Sequence, residues 1–293
     1  MTAFLSSLLY YLFIIPLSLL PSRVLYLLSD GLFYLIYYGF GYRRQVVQQN
    51  ISNSFPGKSP AEHTAVCKKF YRHFCDLIVE SIKIFTISEN EVKRRMVVQN
   101  EALLESFFDR KRSVIIAGGH YNNWELFAVA VAAPIRHKVI AIYKPLTNSF
   151  FDRKMRQTRS KYGLRMISTK IVKTVFEEEK NHLTANIFGT DQSPPHADKC
   201  HWMKFLNQDT GVLFGAERYA KEYNYPVVFC HIEKLKRGYY HFRFSPCCDE
   251  PLQTAPGEIT EKITRMLEED IVKQPEYWLW THKRWKHKRP ASL

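Results

Sequence analysis

The sequence predicts an α/β fold with a mixed, largely parallel sheet covered by helices, preceded by an N-terminal hydrophobic membrane anchor. In the body of the chain, β-rich runs alternate with helical patterns, and this order is typical of parallel strands joined by helices. At the N-terminus, the first 22 residues contain no charged side chain, which is long enough for a membrane helix. We therefore predict an anchor over residues 1–44 and one α/β domain over residues 45–293.

The predicted anchor consists of two apolar stretches. Pro16 lies inside the first, and we expect it to kink or break a helix. The second, residues 24–42, is interrupted by Asp30 and three glycines and is closed by Arg43–Arg44. A cleaved signal peptide is the alternative, but the chain lacks a basic leading region and an obvious small-residue cleavage site. The basic flank predicts that the body faces the cytoplasm, and the number of spans stays open.

In the body, the predicted elements follow one another in a regular order. A long helix is predicted over residues 59–85 by the spacing of its apolar residues, after a loop at residues 50–57. Strands are then predicted at residues 113–119, 138–143, 164–168, 183–189, 226–232 and 239–245. Helices are predicted near residues 123–133, 148–162, 171–180, 213–223 and 256–272. Because only a short basic segment separates the last two strands, we expect them to form a hairpin.

The composition limits the function. The chain has 293 residues, of which 46% are hydrophobic and 24% are charged, so it is neither wholly disordered nor fibrous. Its 42 Lys and Arg against 28 Asp and Glu give a net charge of +14, which indicates an anionic partner: nucleic acid, an anionic membrane surface or an acidic substrate. The six cysteines lack metal-ligand spacing, so we expect free thiols in a reducing compartment and no metal site.

The strongest candidate for catalysis is the run Gly-Gly-His-Tyr-Asn-Asn-Trp-Glu at residues 118–125, where a predicted strand ends and a helix begins. On one helix, His120 and Glu125 would be about 140° apart. We therefore place His120 on the turn and Glu125 in the first helical turn, where its carboxylate can hold one imidazole nitrogen and leave the other as a general base. With no adjacent Ser or Cys and no GxSxG motif, such a pair suits deprotonation of a substrate hydroxyl. The alternative is a plain helix start capped around Asn122.

This run resembles the signature of the bacterial late acyltransferases of lipid A biosynthesis, the lauroyl and myristoyl transferases. It is a variant of the His-x4-Asp/Glu motif that they share with the glycerolipid acyltransferases. Further segments resemble the family in the same order: residues 50–56 before a helix that carries Glu80, the Arg-x3-Gly element at 159–163, Asp191-Gln192 and the block at 275–286. The sequence departs from the family pattern at residues 205–211, Tyr277 and Lys283, which leaves the acceptor and the acyl chain length open.

The resemblance implies a glycerolipid-acyltransferase-like fold and a membrane-associated O-acyltransferase of the bacterial inner membrane, with its catalytic domain facing the cytoplasm. It implies transfer of a fatty acyl chain from a thioester of acyl carrier protein or coenzyme A, as co-substrate, to a hydroxyl of a lipid A precursor, without a cofactor. A glycerolipid or aminolipid acceptor, or a non-enzymatic basic membrane adaptor, is the alternative.

The resemblance and the positions of the basic residues together give the candidate site residues. His120 and Glu125 are the expected catalytic residues, with Glu125 orienting His120. The candidates for substrate binding are Asn123, Lys144, Arg156, Arg159, Asp191 and Gln192. Of these, Asp191 is expected to be a structural residue near the active site that holds an arginine or a helix start, rather than a catalyst.

The C-terminal run at residues 282–289 is rich in cations, with five in its last seven residues; Trp278 and Trp280 precede it and Trp285 lies within it. The pattern is compatible with nucleic-acid binding and with a membrane surface, where tryptophans lie at the headgroup level and cations contact phosphates. Because the other end of the chain carries the predicted anchor, we favour the phospholipid membrane and expect no nucleic-acid partner.

Overall fold

The computed structural model describes residues 2–290, so residue 1 and residues 291–293 of the predicted regions lie outside the described part. Within it the chain forms two β-sheets. The strands are β1 (Met96–Val98), β2 (Val114–Gly118), β3 (Lys138–Tyr143), β4 (Arg165–Ser168), β5 (Thr184–Gly189), β6 (His201–Phe205), β7 (Gln208–Val212), β8 (Val227–Lys236) and β9 (Tyr239–Cys248). The large sheet has the order β1-β9-β8-β2-β5-β3-β4, and β6 pairs with β7 in a separate hairpin.

Most neighbouring strands of the large sheet are parallel. β2 pairs in parallel with β5 and β8, β3 with β4 and β5, and β1 with β9, whereas β8 and β9 are antiparallel. The predicted α/β fold with a largely parallel sheet and the predicted final hairpin are therefore confirmed. Residues 114–117 of β2 are all buried, as expected for a strand covered on both faces by helices.

Helices cover both faces of this sheet. They are α1 (Thr2–Leu9), α2 (Ile15–Leu19), α3 (Ser22–Tyr34), α4 (Arg44–Ser54), α5 (Pro60–Lys83), α6 (Glu89–Arg95), α7 (Ala102–Asp109), α8 (Trp124–Ala130), α9 (Ser149–Arg159), α10 (Val172–Glu178), α11 (Gly215–Tyr223) and α12 (Glu258–Lys273). One core cluster joins α6, α7 and α8 to one face, and a second joins α5, α10, α11 and α12 to the other. The carboxyl ends of the strands open between these two helical layers.

One local prediction is wrong, and several elements were missed. Residues 50–54, predicted as the start of a loop, belong to α4, because Val47 and Ile51 lie one turn apart and are fully buried. Polar Asn50 is accommodated because its amide donates to a backbone carbonyl of the C-terminal segment. The sequence reasoning missed β1, α6, α7 and the β6–β7 hairpin, whose short strands mix polar with apolar residues and give a weak pattern.

The N-terminal helices pack against the protein on one side only. In α3, Leu25, Ser29 and Phe33 follow one another at single-turn intervals and are buried against α5. Leu27 on the opposite side is 71% exposed, and large exposed apolar side chains recur throughout residues 4–42. An exposed apolar surface of this extent is typical of a contact with a membrane or another protein.

No single helix within residues 2–290 has the length and apolar character to cross a membrane. The helical segments Phe4–Leu19 and Ser22–Phe40, with a bend of 117° between them, meet both conditions when taken together. A π-helical segment, Tyr10–Ile14, precedes Pro16, and the chain stays helical to Leu19. The expected break therefore falls after Leu19 and not at Pro16. The membrane anchor over residues 1–44 stays a prediction.

Candidate active site

The candidate residues lie at the carboxyl ends of β2 and β5, which are neighbours in the sheet. Gly118 and Gly189 end these strands as register partners, and His120 follows two residues after the first of them. Gly119 has no room for a side chain, because a Cβ atom there would lie 3.2 Å from the Asp191 carboxylate and closer still to α12. The glycine therefore lets the turn approach α12 and Asp191 closely.

Asp191, the second residue after β5, holds His120. Its Oδ1 accepts a hydrogen bond from His120 Nδ1 at 2.7 Å, and its Oδ2 accepts one from the His120 backbone N–H at 2.8 Å. Trp278 Nε1 donates to the same Oδ2 at 2.9 Å. Because the Asp191 side chain is only 4% exposed, these donors fix a buried carboxylate, and Nε2 is the imidazole nitrogen that Asp191 does not bind.

The His120 and Asp191 side chains shift each other's pKa. Burial by itself lowers the pKa of His120, but the charge of Asp191 and the hydrogen bond to it outweigh burial and raise the pKa above that of a free imidazole. Burial raises the pKa of Asp191, yet the His120 charge and the bonds from His120 and Trp278 more than reverse this and hold the pKa well below its usual range. Asp191 is therefore ionised at neutral pH and stabilises a protonated His120.

Glu125 does not hold His120, contrary to the sequence prediction. Its carboxylate accepts hydrogen bonds from Arg159 Nη2 at 2.6 Å and from Arg159 Nε at 2.9 Å, and Trp124 Nε1 donates to it at 3.2 Å. The reason is geometric, since Glu125 extends from α8 towards α9 while Asp191 already occupies the Nδ1 side of the imidazole. Glu125 still acts on His120 through its charge, which raises the pKa of the imidazole, while the Arg159 charge lowers it.

The C-terminal segment pairs with the His120 turn. The His120 carbonyl oxygen accepts a hydrogen bond from the Leu279 N–H at 3.2 Å, and Tyr121 forms a β-bridge with Trp278. Trp278 and Trp280 are 1% and 0% exposed. The sequence-based placement of these two tryptophans at a membrane surface is therefore wrong, because they form part of the core behind the turn.

His120 opens onto a cavity of about 800 Å³ at the carboxyl edge of the sheet. Its walls are mainly apolar, and its size lies towards the upper end of the range for ligand sites. The polar and charged residues that line it include Glu125, Lys144, Arg156, Arg159 and Gln192. Gln192 Nε2 lies 3.3 Å from His120 Nε2. An apolar cavity with a base and cations at its edge suits an apolar chain that is attached to a polar or anionic group.

A comparison with protein families decides the class of this site. The family described as bacterial lipid A biosynthesis acyltransferase matches residues 2–287, nearly the whole chain. The chain belongs to the bacterial lipid A biosynthesis acyltransferases. The resemblance drawn from the sequence is thereby confirmed, and the protein is an acyltransferase with a lipid acceptor and an acyl donor. No curated protein sequence matches the chain.

In this lipid A acyltransferase, four of the predicted binding residues line the cavity and two do not. Lys144, Arg156, Arg159 and Gln192 are on its wall. Arg156 is half exposed, and its nearest acidic partner, Asp152, lies 3.8 Å away, so its charge is largely available to a ligand. Asp191 lies behind His120 and reaches the cavity only through the imidazole.

Asn123 has a structural role in the lipid A acyltransferase, in place of the predicted contact with substrate. Its Oδ1 accepts a hydrogen bond from the Leu126 N–H at 2.8 Å and caps α8, and its amide donates to Glu80 at 2.5 Å. Buried Glu80 also accepts hydrogen bonds from the Tyr26 and Tyr240 hydroxyls, each at 2.8 Å. This network joins the start of α8 to α5, β9 and the N-terminal α3.

The sequence did not predict that Asp191 holds the imidazole of the lipid A acyltransferase or that Trp278 holds Asp191. One signal was present, because Asp191 follows a predicted strand just as His120 does, and the carboxyl ends of parallel strands meet at one edge of a sheet. The sequence did not show that these two strands are neighbours. No comparable signal pointed to Trp278, which is 87 residues from Asp191.

Proposed function

We propose that this acyltransferase moves a fatty acyl chain from a thioester, on acyl carrier protein or coenzyme A, to a hydroxyl group of a lipid A precursor. The observation that carries the proposal is the His120–Asp191 pair, in which a buried carboxylate fixes one imidazole nitrogen while the other lies beside an apolar cavity, within hydrogen-bond distance of the Gln192 amide. An imidazole held in this way can accept a proton from a hydroxyl group. The apolar cavity suits a fatty acyl chain.

In the proposed reaction, His120 Nε2 removes the proton of the acceptor hydroxyl while the hydroxyl oxygen attacks the thioester carbonyl carbon. A carbon–oxygen bond forms, and the carbonyl electron pair moves to oxygen to give a tetrahedral oxyanion. When the oxyanion collapses, the carbon–sulfur bond breaks and His120 returns the proton to the departing thiolate. Asp191 stabilises the imidazolium that exists between these two proton transfers.

The oxyanion needs hydrogen-bond donors close to His120. We assign one donor to the side-chain amide of Gln192, whose nitrogen lies 3.3 Å from His120 Nε2. The His120 backbone N–H is excluded from this role because it donates to Asp191. Arg159 holds a guanidinium in a fixed position on the cavity wall, where its charge is paired with that of Glu125 through two hydrogen bonds.

A phosphorylated lipid acceptor accounts for the positive charge of the protein and of the cavity wall. Lys144 lines the cavity and has no ion-pair partner within residues 2–290, and the chain carries a net charge of +14. The exposed apolar side chains of residues 4–42 support attachment to a membrane. We propose that the enzyme is attached to the bacterial inner membrane and, from the basic flank at Arg43–Arg44, that its catalytic domain faces the cytoplasm.

The decisive experiment compares lipids from cells with and without the gene by mass spectrometry. We expect a lipid A precursor that lacks one acyl chain to accumulate without the gene. The wild-type gene should restore the missing chain, whereas a His120→Gln variant should not. Unchanged lipid A together with altered glycerolipids or aminolipids would redirect the proposal to those acceptors, and unchanged lipids of every class would contradict it.

A transfer assay with the purified protein tests the donor and the acceptor group. Labelled acyl-coenzyme A and acyl–acyl carrier protein are offered separately with the accumulated precursor. We expect transfer from at least one thioester and none to a precursor whose acceptor hydroxyl is removed. Transfer to the precursor without that hydroxyl would contradict the assigned role of His120.

A further inference from the structure

The cavity beside His120 is lined from both faces of the sheet. Consecutive residues of a strand point to opposite faces. Three strands nevertheless contribute consecutive pairs to the cavity wall: Ile116 and Ala117 from β2, Ala141 and Ile142 from β3, and Ile187 and Phe188 from β5. In β2, Ile116 packs in the core under α8, whereas Ala117 packs in the core under α10 and α11. The cavity therefore continues from the sheet edge along both faces.

The deep arm of the cavity lies on the α8 face and is lined by Phe127, Ala128, Leu164 and Met166. Leu164 precedes β4 and lies four residues before Ser168, the last residue of this strand. A strand rises by about 3.3 Å per residue, so the arm extends about 13 Å along the sheet from its carboxyl edge. Leu164 is 2% exposed and lies at the inner end of the arm.

The shallow arm lies on the opposite face and is lined by Val172, Phe188, Ala216 and Tyr219. On α11 it extends from Gly215 to Tyr219, about 6 Å along a helix that rises about 1.5 Å per residue. The rings of Phe188 and Tyr219 pack together with their centroids 5.8 Å apart. This arm is therefore shorter than the deep arm.

The two arms join beside His120. Gly118 and Gly189, the register partners that end β2 and β5, carry no side chains and both line the cavity. A Cβ atom at Gly189 would lie 3.6 Å from the His120 ring. The imidazole consequently lies at the crossing point from one face to the other, where two chains that enter from opposite faces would meet.

We propose that the two arms hold two different acyl chains, the donor chain in the deep arm and a hydroxyacyl chain of the lipid acceptor in the shallow arm. This inference rests on the proposed function. The donor is carried by a water-soluble thioester, so its whole chain must leave water for the protein, and only the deep arm is long enough. The acceptor is a lipid with several chains, so it needs to place only the segment next to its hydroxyl in the protein.

The test uses matched substitutions, Ala128→Leu in the deep arm and Ala216→Leu in the shallow arm. The probes are saturated acyl-coenzyme A donors of graded chain length and the lipid A precursor from cells without the gene. We expect Ala128→Leu to lower kcat/KM for the longest donor relative to the shortest by about tenfold or more, with an unchanged KM for the acceptor. Ala216→Leu should raise the KM for the acceptor and leave the donor ratio within about twofold.

Two results overturn the inference: a folded Ala128→Leu variant with the wild-type donor ratio, or an Ala216→Leu variant that shifts the donor ratio as strongly as Ala128→Leu. The second would mean that one chain occupies both arms. Because added volume can prevent folding, thermal unfolding is measured and Met166→Ala serves as a second variant. It should extend the preference to longer donors, and an unchanged preference also overturns the inference.

The outcomes separate this inference from the proposed function. If the wild-type protein transfers no chain from any thioester, the proposed function is wrong and the inference falls with it. If the wild-type protein transfers acyl chains but the arm variants keep all wild-type preferences, only the inference is wrong.

Discussion

Two ion pairs lie beside the cavity, and different elements of the fold hold them. His120–Asp191 joins the ends of neighbouring strands, includes a bond from the His120 backbone, and has a carboxylate that is 4% exposed. Glu125–Arg159 joins two helices through side chains alone, and these are 13% and 21% exposed. The sheet thus fixes the imidazole of His120 rigidly, while the helices hold the charged groups around it. The substitutions below test that division.

The largest effect is expected from His120→Gln. The amide can still donate to Asp191 and fill part of the space, but it cannot accept a proton at neutral pH. We expect kcat to fall by about 10³-fold or more, measured as acyl transfer at saturating donor. The melting temperature should stay close to that of the wild type. A folded variant with activity within tenfold of the wild type would rule out His120 as the base.

Asp191→Asn should have the next largest effect and should change the pH dependence. We expect kcat to fall by about 10²-fold or more, because the amide neither fixes the tautomer nor stabilises the imidazolium. In the proposed reaction His120 is a base in its neutral form, so we expect activity above its pKa and a loss of activity as the pH falls through that pKa. In the wild type that pKa is raised by Asp191, so the loss begins at a higher pH than for a free imidazole.

Without the Asp191 charge, burial is left as the main influence, and burial lowers the pKa of His120. The acid limb of kcat/KM should therefore move to lower pH in Asp191→Asn. The measurement is a pH profile of kcat/KM for both proteins. An acid limb at the same pH in both would show that Asp191 does not control the imidazole.

Glu125→Gln should have a smaller effect that falls on substrate binding. The substitution removes the negative charge that pairs with Arg159. Because a hydrogen bond to a charged group is worth about 1.5–3 kcal/mol, we expect kcat/KM to fall about tenfold or more. Arg159→Lys is the matched variant, since it keeps the charge but loses the two-pronged contact. A loss in Glu125→Gln as large as in Asp191→Asn would erase the distinction between the two pairs.

The smallest effect on activity is expected from Glu80→Gln. The Glu80 carboxylate accepts hydrogen bonds from Tyr26, Asn123 and Tyr240. A glutamine side chain in its place would turn its own N–H groups towards one of these donors. We expect a loss of about 1–2 kcal/mol in the free energy of unfolding, measured by chemical denaturation. The acid limb of the pH profile should not move, because Glu80 contacts the cap of α8 and not His120. A shifted acid limb would show that the network reaches the His120–Asp191 pair.

Much of the fold was predictable because its signals are local. The strands at residues 114–118, 138–143 and 184–189 are short apolar runs that end at turn residues, and the structure places them within a residue of their predicted bounds. The β6–β7 hairpin was not predictable in the same way, since its strands are short and lack a regular apolar pattern. Residues 50–54 look like a loop in isolation and become helical because the core covers Val47 and Ile51.

For the site, the sequence identified His120 and Arg159 but paired Glu125 with the wrong partner. The reasoning joined His120 to the nearest carboxylate along the chain, whereas Asp191 is 71 residues away. Sequence distance says little about which strands lie side by side. The order of β2 and β5 in the sheet decides the partner of His120, and that order depends on the crossovers between the strands.

The sequence by itself determined the fold class, the family resemblance and the position of His120 at the end of a strand, because these depend on local pattern and on motifs that are contiguous in the chain. Tertiary structure alone decided that Asp191 holds the imidazole and Trp278 holds Asp191, that Glu125 binds Arg159, and that Trp278 and Trp280 are buried. The physical reason is that hydrogen bonds and burial depend on distances in space, and the sheet and the C-terminal segment bring together residues that are far apart in the chain.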